Sequence, residues 1–175
     1  MNVHDLPIPV LGFAAYSGTG KTTLLMKLLP LLTSRGLRIG MIKRAHHDFD
    51  VDKPGKDSYE LRKAGASQML VVSRRRWALM VENTQEVEPN LGDLVARLDG
   101  RRLDLILVEG FKREVFPKIE VHRPSLGHRP LYPNDPSIVA IATDRPLSEP
   151  AALPVLDLNA PAAVAAFISE RFLSG

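Results

Sequence analysis

The residues best equipped for chemistry are Ser17, Gly18, Thr19, Gly20, Lys21, Thr22 and Thr23, entered through Ala15 and Tyr16. They fit the phosphate-loop pattern G-x-x-x-x-G-K-[ST] at every position but the first, where Ala15 stands in place of glycine. Glycine at 18 and 20 opens backbone conformations in which successive N–H groups converge on phosphate oxygens, and the helix that begins here adds the positive end of its dipole. Lys21 offers a point charge to the β- and γ-phosphates, and the Thr22 hydroxyl is placed to ligate Mg²⁺. Glu109 brings a carboxylate to the end of a near-continuous apolar stretch, 103–110, where it can bind Mg²⁺ or polarise a water beside the γ-phosphate. Lys21 and Glu109 are thus the catalytic candidates, and 17–23 the phosphate-binding ones.

Three further groups are weighed. Asp48 is chosen from the alternating Asp48, Asp50 and Asp52 as a carboxylate offered to the nucleotide's Mg²⁺ from a switch-like loop. An EF-hand is rejected, because Lys53 stands where glycine is needed and Tyr59 where the closing glutamate belongs. Vicinal His46 and His47 with the nearby aspartates could bind a transition metal, yet adjacent residues point apart in an extended chain and no third ligand has diagnostic spacing, so the switch-like loop is the preferred reading. Asp144, at the end of a late apolar strand, can accept from guanine N1–H and the 2-amino group, which adenine lacks; the alternative is a turn-forming Asp before Arg145-Pro146. The usual guanine-reading Asn-Lys-x-Asp does not occur.

The elements that must hold these residues can be read from periodicity. An apolar run from 8 to 14 predicts the first strand, and leucines at 24, 25, 28, 29, 31 and 32 predict a helix ending near Gly36, with Pro30 as a source of a kink. A parallel second strand follows over 37–43. A short helix starts at Ser58, with Asp57 or Ser58 as its cap, and a hairpin spans 68–82 around Arg74, Arg75 and Arg76. Those arginines read as a solvated turn or as a docking point for an acidic partner or second phosphorylated ligand. A helix near 90–98 precedes the buried strand that ends at Glu109. Lys118 to His122 alternates as a half-buried strand; 138–142 and 153–158 follow, and a last helix from 160 to 172 has Asn159 as its cap.

Composition sets the class. The 175 residues include 45% hydrophobic and 25% charged, which suits a single nucleotide-binding domain over 1–175. Net charge is +3, compatible with a polyanionic small molecule and short of a nucleic-acid signature. Without cysteine there is no disulfide and no thiolate metal site. No basic segment precedes a long apolar run, so a soluble cytoplasmic protein, with no membrane partner, is expected.

Three blocks carry a resemblance: 18–25, 42–66 and 105–112, the middle one being the distinctive part. Together they resemble molybdopterin-guanine dinucleotide biosynthesis protein B, the MobB family, along nearly the whole chain. The resemblance implies a homodimeric GTP-binding adapter with feeble GTPase activity in molybdenum cofactor maturation, where a MobA-like guanylyltransferase partner joins GMP to molybdopterin and where molybdopterin or a molybdoenzyme can be a further partner. The expected fold is α/β, P-loop NTPase-like: a mainly parallel sheet with helices on both faces and an antiparallel extension from the 68–82 hairpin and the 118–122 strand. A small-molecule kinase with Arg74–Arg76 as its lid, and a metal-delivery GTPase using His46 and His47, are the rival readings.

Overall fold

The structure is a computed structural model describing residues 8–45 and 49–173. The chain divides into two compact units, one made of the segments up to Arg44 and from Asn90 onward, the other of Ala45–Pro89.

The larger unit is a six-stranded sheet in the order β2-β5-β1-β6-β7-β8. Its strands are β1 (Val10–Ala14), β2 (Ile39–Lys43), β5 (Leu105–Glu109), β6 (Lys118–His122), β7 (Ile138–Thr143) and β8 (Val155–Asp157), and every pairing is parallel. Strand alternation sends β1 side chains to both faces. Leu11 and Phe13 join Leu107 and Ile119 beneath α1 (Lys21–Thr33) and α4 (Pro161–Phe172), while Val10 joins Ile106, Val108 and Phe116 under α3 (Leu91–Val95). Burying both faces explains why these strands read as continuous apolar runs.

Helix α1 buries Leu24, Leu25, Leu28 and Leu32, each contributing about 1.5–3 kcal/mol of transfer free energy. It runs through Pro30, and the Ser34 N–H donates to the Pro30 carbonyl at 3.0 Å. Asn90 caps α3 by accepting from the Asp93 N–H. Asp104, the first residue before β5, takes both Nε and Nη2 of Arg38 at 3.0 and 2.7 Å, tying the start of β2 to β5. Arg38 holds the Asp104 carboxyl at about 2.

Two expectations fail for physical reasons. Lys118–His122 is neither half-buried nor an antiparallel extension: it lies parallel between β1 and β7 with all five residues buried. Its alternating polar residues are buried with partners. Lys118 Nζ meets Asp135 Oδ2 at 2.9 Å, and the Glu120 carboxylate accepts the N–H groups of Leu131 and Tyr132 at 2.8 and 2.9 Å. Burial pushes the Glu120 carboxyl up, against the pull of those two N–H groups. The second failure is capping. The cap positions are Ala160 for α4 and Lys56 for α2 (Asp57–Lys63), neither with a side-chain bond: α4 starts at Pro161, which leaves Asn159 one residue too early, and Asp57 already lies in the first turn of α2.

The smaller unit carries α2 and the antiparallel pair β3 (Gln68–Val72) and β4 (Trp77–Val81), the hairpin expected over 68–82, which forms a two-stranded sheet of its own. Within it Arg62 is buried and pairs with Asp50 at 2.6 Å and with Glu82.

Candidate nucleotide-binding site

The phosphate loop leaves the end of β1 and enters α1 directly, as its sequence requires. Gly18 and Gly20 have φ of +79° and +93°, conformations that a side chain would strain. The Thr19 hydroxyl turns inward to the Tyr16 carbonyl at 2.9 Å, so Thr19 is buried and offers the site its backbone alone. Ser17, Thr22 and Thr23 are exposed around the helix start.

Parallel pairing of β1 with β5 brings Glu109 beside this loop, and Thr22 Oγ1 donates to Glu109 Oε1 at 3.0 Å. That spacing fits a shared Mg²⁺: two oxygens bound at right angles at about 2.1 Å lie roughly 3 Å apart. The other Glu109 oxygen faces Lys43 Nζ at 3.7 Å. Among the described residues no three His, Asp or Glu side chains cluster as a metal site, so a cation here would draw its other ligands from water and phosphate. Asp48, with His46 and His47, lies outside the described residues.

Lys21 reaches back to the carbonyls of Ala15 and Tyr16, both at a long 3.4 Å. Burial lowers its pKa, Glu109 opposes the shift, and Lys112 and Lys43 add to it. Lys43 and Lys112 thus stand near enough to repel the Lys21 ammonium, with Glu109 as the carboxylate that attracts it, and this local positive excess suits an anionic ligand.

Sequence reasoning missed Phe111, Lys112, Arg123 and His128 as residues that surround the loop. Gly110 and Phe111 follow Glu109 with φ of +102° and +54°, and the buried Phe111 ring holds the second, strained conformation in place. A Cβ on Gly110 would lie 2.8 Å from Arg44 Cβ. This turn carries Lys112 to 5.6 Å from the Tyr16 ring centroid, and His128 stacks on Tyr16 at 4.3 Å. Arg123 donates from Nε to the Thr19 carbonyl at 2.9 Å and from Nη1 to Asp144 Oδ2 at 2.5 Å. Asp144, the candidate base reader, is therefore tethered to the phosphate loop. The available signal was position: Arg123 and Asp144 directly follow neighbouring parallel strands.

Arg74, Arg75 and Arg76 lie in the β3–β4 connection, whose backbone is pinned by Ser73 Oγ accepting from the Arg75 and Arg76 N–H groups. The run is a structured hairpin turn, a poor start for a hinged lid.

Comparison with known proteins decides the family. Residues 10–144 match the family model for MobB, molybdopterin guanine dinucleotide synthesis protein B. The chain belongs to the MobB family. Among curated relatives, it is 56% identical over 164 residues to the molybdopterin-guanine dinucleotide biosynthesis adapter protein of Escherichia coli K12, covering 93% of both chains. It is 45% identical over 163 residues to the adapter protein of the same designation from Haemophilus influenzae, covering 93% of this chain and 89% of the relative. A MobB homologue from Bacillus stearothermophilus has a similar structure, with a TM-score of 0.68, 26% identity and coverage of 95% and 99% of the two chains. Bacillus subtilis MobB superposes with a TM-score of 0.72 at 24% identity, covering 93% and 98%, a likeness of fold. The α/β, P-loop-like architecture expected from the sequence is thereby shared with solved members of the MobB family. No described helix is long and apolar enough to cross a membrane.

Proposed function

We propose that this chain is an adapter in molybdopterin guanine dinucleotide synthesis. It binds Mg²⁺ and GTP at 17–23, hydrolyses GTP slowly at most, and assists a MobA-like guanylyltransferase in the cytoplasm. The observation that carries the nucleotide part is the Thr22–Glu109 contact at 3.0 Å beside Lys21, Lys43 and Lys112. Lys21 would neutralise the β- and γ-phosphates and Thr22 and Glu109 would hold Mg²⁺, with Asp48 as a further ligand. Glu109 spends its oxygens on Thr22 and Lys43, the posture of a metal-side carboxylate and not of a base aimed at water, which favours binding over turnover. The adapter role rests on the designations of the relatives from Escherichia coli and Haemophilus influenzae.

Asp144 is assigned to the guanine base, through N1–H and the 2-amino group. Its Oδ1 is buried and has no partner among the described residues, so a ligand N–H would satisfy an acceptor that is otherwise costly. Thermal unfolding with Mg²⁺ and GTP, GDP, ATP or no nucleotide tests the assignment. GTP and GDP are expected to raise the midpoint and ATP to leave it; equal stabilisation by ATP would remove the guanine assignment. One calorimetric transition is expected if 1–175 acts as a single domain.

The chain is also proposed to act as a homodimer through its hairpin. Leu70, Val72, Trp77, Leu79 and Val81 stand on one face of the two-stranded β3–β4 sheet and are all exposed, Val72 at 68% and Trp77 at 65%. An isolated hairpin is marginal in water, and an apolar face of this kind favours a second sheet. Light scattering should give twice the monomer mass. Trp77 is the sole tryptophan, so its emission should shift to the blue as the protein is concentrated through its dimerisation range. Leu79→Glu should hold the chain monomeric and abolish the shift. A wild-type monomer at high concentration would defeat the proposal.

A further inference from the structure

The geometry points to Arg123 as the positioning residue for base specificity: it fixes Asp144 relative to the phosphate loop, so that a 2-amino-6-oxopurine is recognised only while Arg123 is in place. The inference rests on the nucleotide-binding reading above. Strand order supplies the arrangement. The neighbouring strands β1, β6 and β7 end at the same edge, with His122 in register with Thr143, so the next residues, Arg123 and Asp144, emerge side by side next to the loop that leaves β1.

Arg123 spans the gap with a rigid planar fork. Nε donates to the Thr19 carbonyl at 2.9 Å, Nη1 donates to Asp144 Oδ2 at 2.5 Å, and Nη2 lies 3.6 Å from where a Cβ on Gly20 would sit. The side chains are largely withdrawn from solvent, with exposures of 33% for Arg123 and 14% for Asp144, so the pair is screened less than a surface ion pair. Arg123 occupies Oδ2 and leaves Oδ1 as the acceptor without a partner among the described residues. A carboxylate fixed in this way accepts from N–H donors and offers none. Guanine presents two donors on that edge, hypoxanthine one, and adenine an unprotonated N1 that a carboxylate repels. The Thr19 anchor matters as much as the Asp144 one. It sets the separation between the carboxylate and the loop that would hold the phosphates, and a shift of about 1 Å there is enough to lose a directional hydrogen bond. Lysine has a single ammonium in place of the fork and no rigid plane with which to hold both anchors.

Isothermal titration of the full chain with Mg²⁺ and GTP, ITP, ATP or inorganic tripolyphosphate tests this. The proteins are wild type, Arg123→Gln, Arg123→Lys and Asp144→Asn, each first checked for an unchanged circular dichroism spectrum. The wild type is expected to prefer GTP over ITP and ATP. Arg123→Gln should weaken GTP by roughly tenfold, the worth of about one hydrogen bond to a charged group, and bring it to the level of ITP. Tripolyphosphate binding should change less than about twofold, because Lys21 and the loop N–H groups remain. Arg123→Lys should fall between, and adding Arg123→Gln to Asp144→Asn should leave the GTP to ITP ratio where Asp144→Asn alone puts it.

Loss of tripolyphosphate binding in step with GTP would reduce Arg123 to a prop for the phosphate loop and overturn the inference. An unchanged GTP to ITP ratio in Arg123→Gln would overturn it as well. Wild-type protein that binds tripolyphosphate without preferring any base removes Asp144 as the reader and the inference with it, while the phosphate site stands. Wild-type protein that binds no tripolyphosphate at all refutes the nucleotide-binding reading itself.

Discussion

Lys21→Ala is expected to abolish stabilisation by Mg²⁺ and GTP while leaving the unliganded fold nearly unchanged. A ligand at a hundred times its Kd adds about 2.7 kcal/mol to native stability, and all of that should vanish. The free protein should lose less than about 1 kcal/mol, because the Lys21 contacts to the Ala15 and Tyr16 carbonyls are both stretched to 3.4 Å. The Lys21 ammonium is drawn down by burial and by Lys112 and Lys43, with Glu109 alone opposing. This gives a pH signature. A bound triphosphate favours charged Lys21, so binding takes up a proton once pH exceeds the depressed pKa of the free protein. Affinity should be flat below that pKa and fall above it by up to about tenfold per pH unit, and Lys21→Ala should lack this slope. In the free protein the sign is opposite. A depressed lysine binds fewer protons folded than unfolded, so stability rises with pH between the depressed pKa and the ordinary value of 10.5. Differential scanning calorimetry from neutral to alkaline pH, with and without GTP, reads both slopes; equal slopes in wild type and Lys21→Ala would refute the assignment.

The two ends of the site were legible to different degrees. Gly18, Gly20, Lys21 and Thr22 are local: their roles follow from a pattern within eight residues, and the structure sets them on one turn between β1 and α1. Glu109 was legible because a buried parallel strand reads as a continuous apolar run, and its C-terminal residue must emerge on the ligand side of the sheet. Arg123 and Lys112 were not legible, since each depends on which strands are neighbours. Once β6 is placed beside β1, Arg123 has to appear next to the loop; placed as an antiparallel extension, it does not. The error over β6 came from reading Lys118, Glu120 and His122 as a solvent face. Alternation in a sequence reports polarity, and a polar residue with a full set of partners can be buried despite its desolvation cost.

Lys118 is the costliest of those buried polar residues to disturb, and Lys118→Met is expected to destabilise the fold by about 3–5 kcal/mol. Its side chain is 1% exposed and its ammonium has three acceptors: Asp135 Oδ2 at 2.9 Å, the Glu114 carbonyl at 2.6 Å and the Lys112 carbonyl at 3.2 Å. All three N–H donors are used, so removing them leaves two carbonyls unpaired and takes the cation from Asp135 Oδ2, while Asp135 Oδ1 still accepts from the Ser137 N–H and hydroxyl. Methionine fills much of the volume against Phe116 and Gly12, which limits the cavity term and isolates the electrostatic one. Urea unfolding should show the loss, and the thermal midpoint should drop by roughly 10 °C. The double variant Lys118→Met with Asp135→Asn should recover part of it, because no uncompensated charge then remains. The effect also has to reach the site. The carbonyls of Lys112 and Glu114 belong to the turn that leaves Glu109, and that turn presents Lys112 to Tyr16. Lys118→Met should therefore weaken triphosphate binding even at temperatures where the chain is fully folded. A loss of stability below about 1 kcal/mol, or one that the double variant deepens additively, would mean that the pair is a bystander and that packing alone holds the turn.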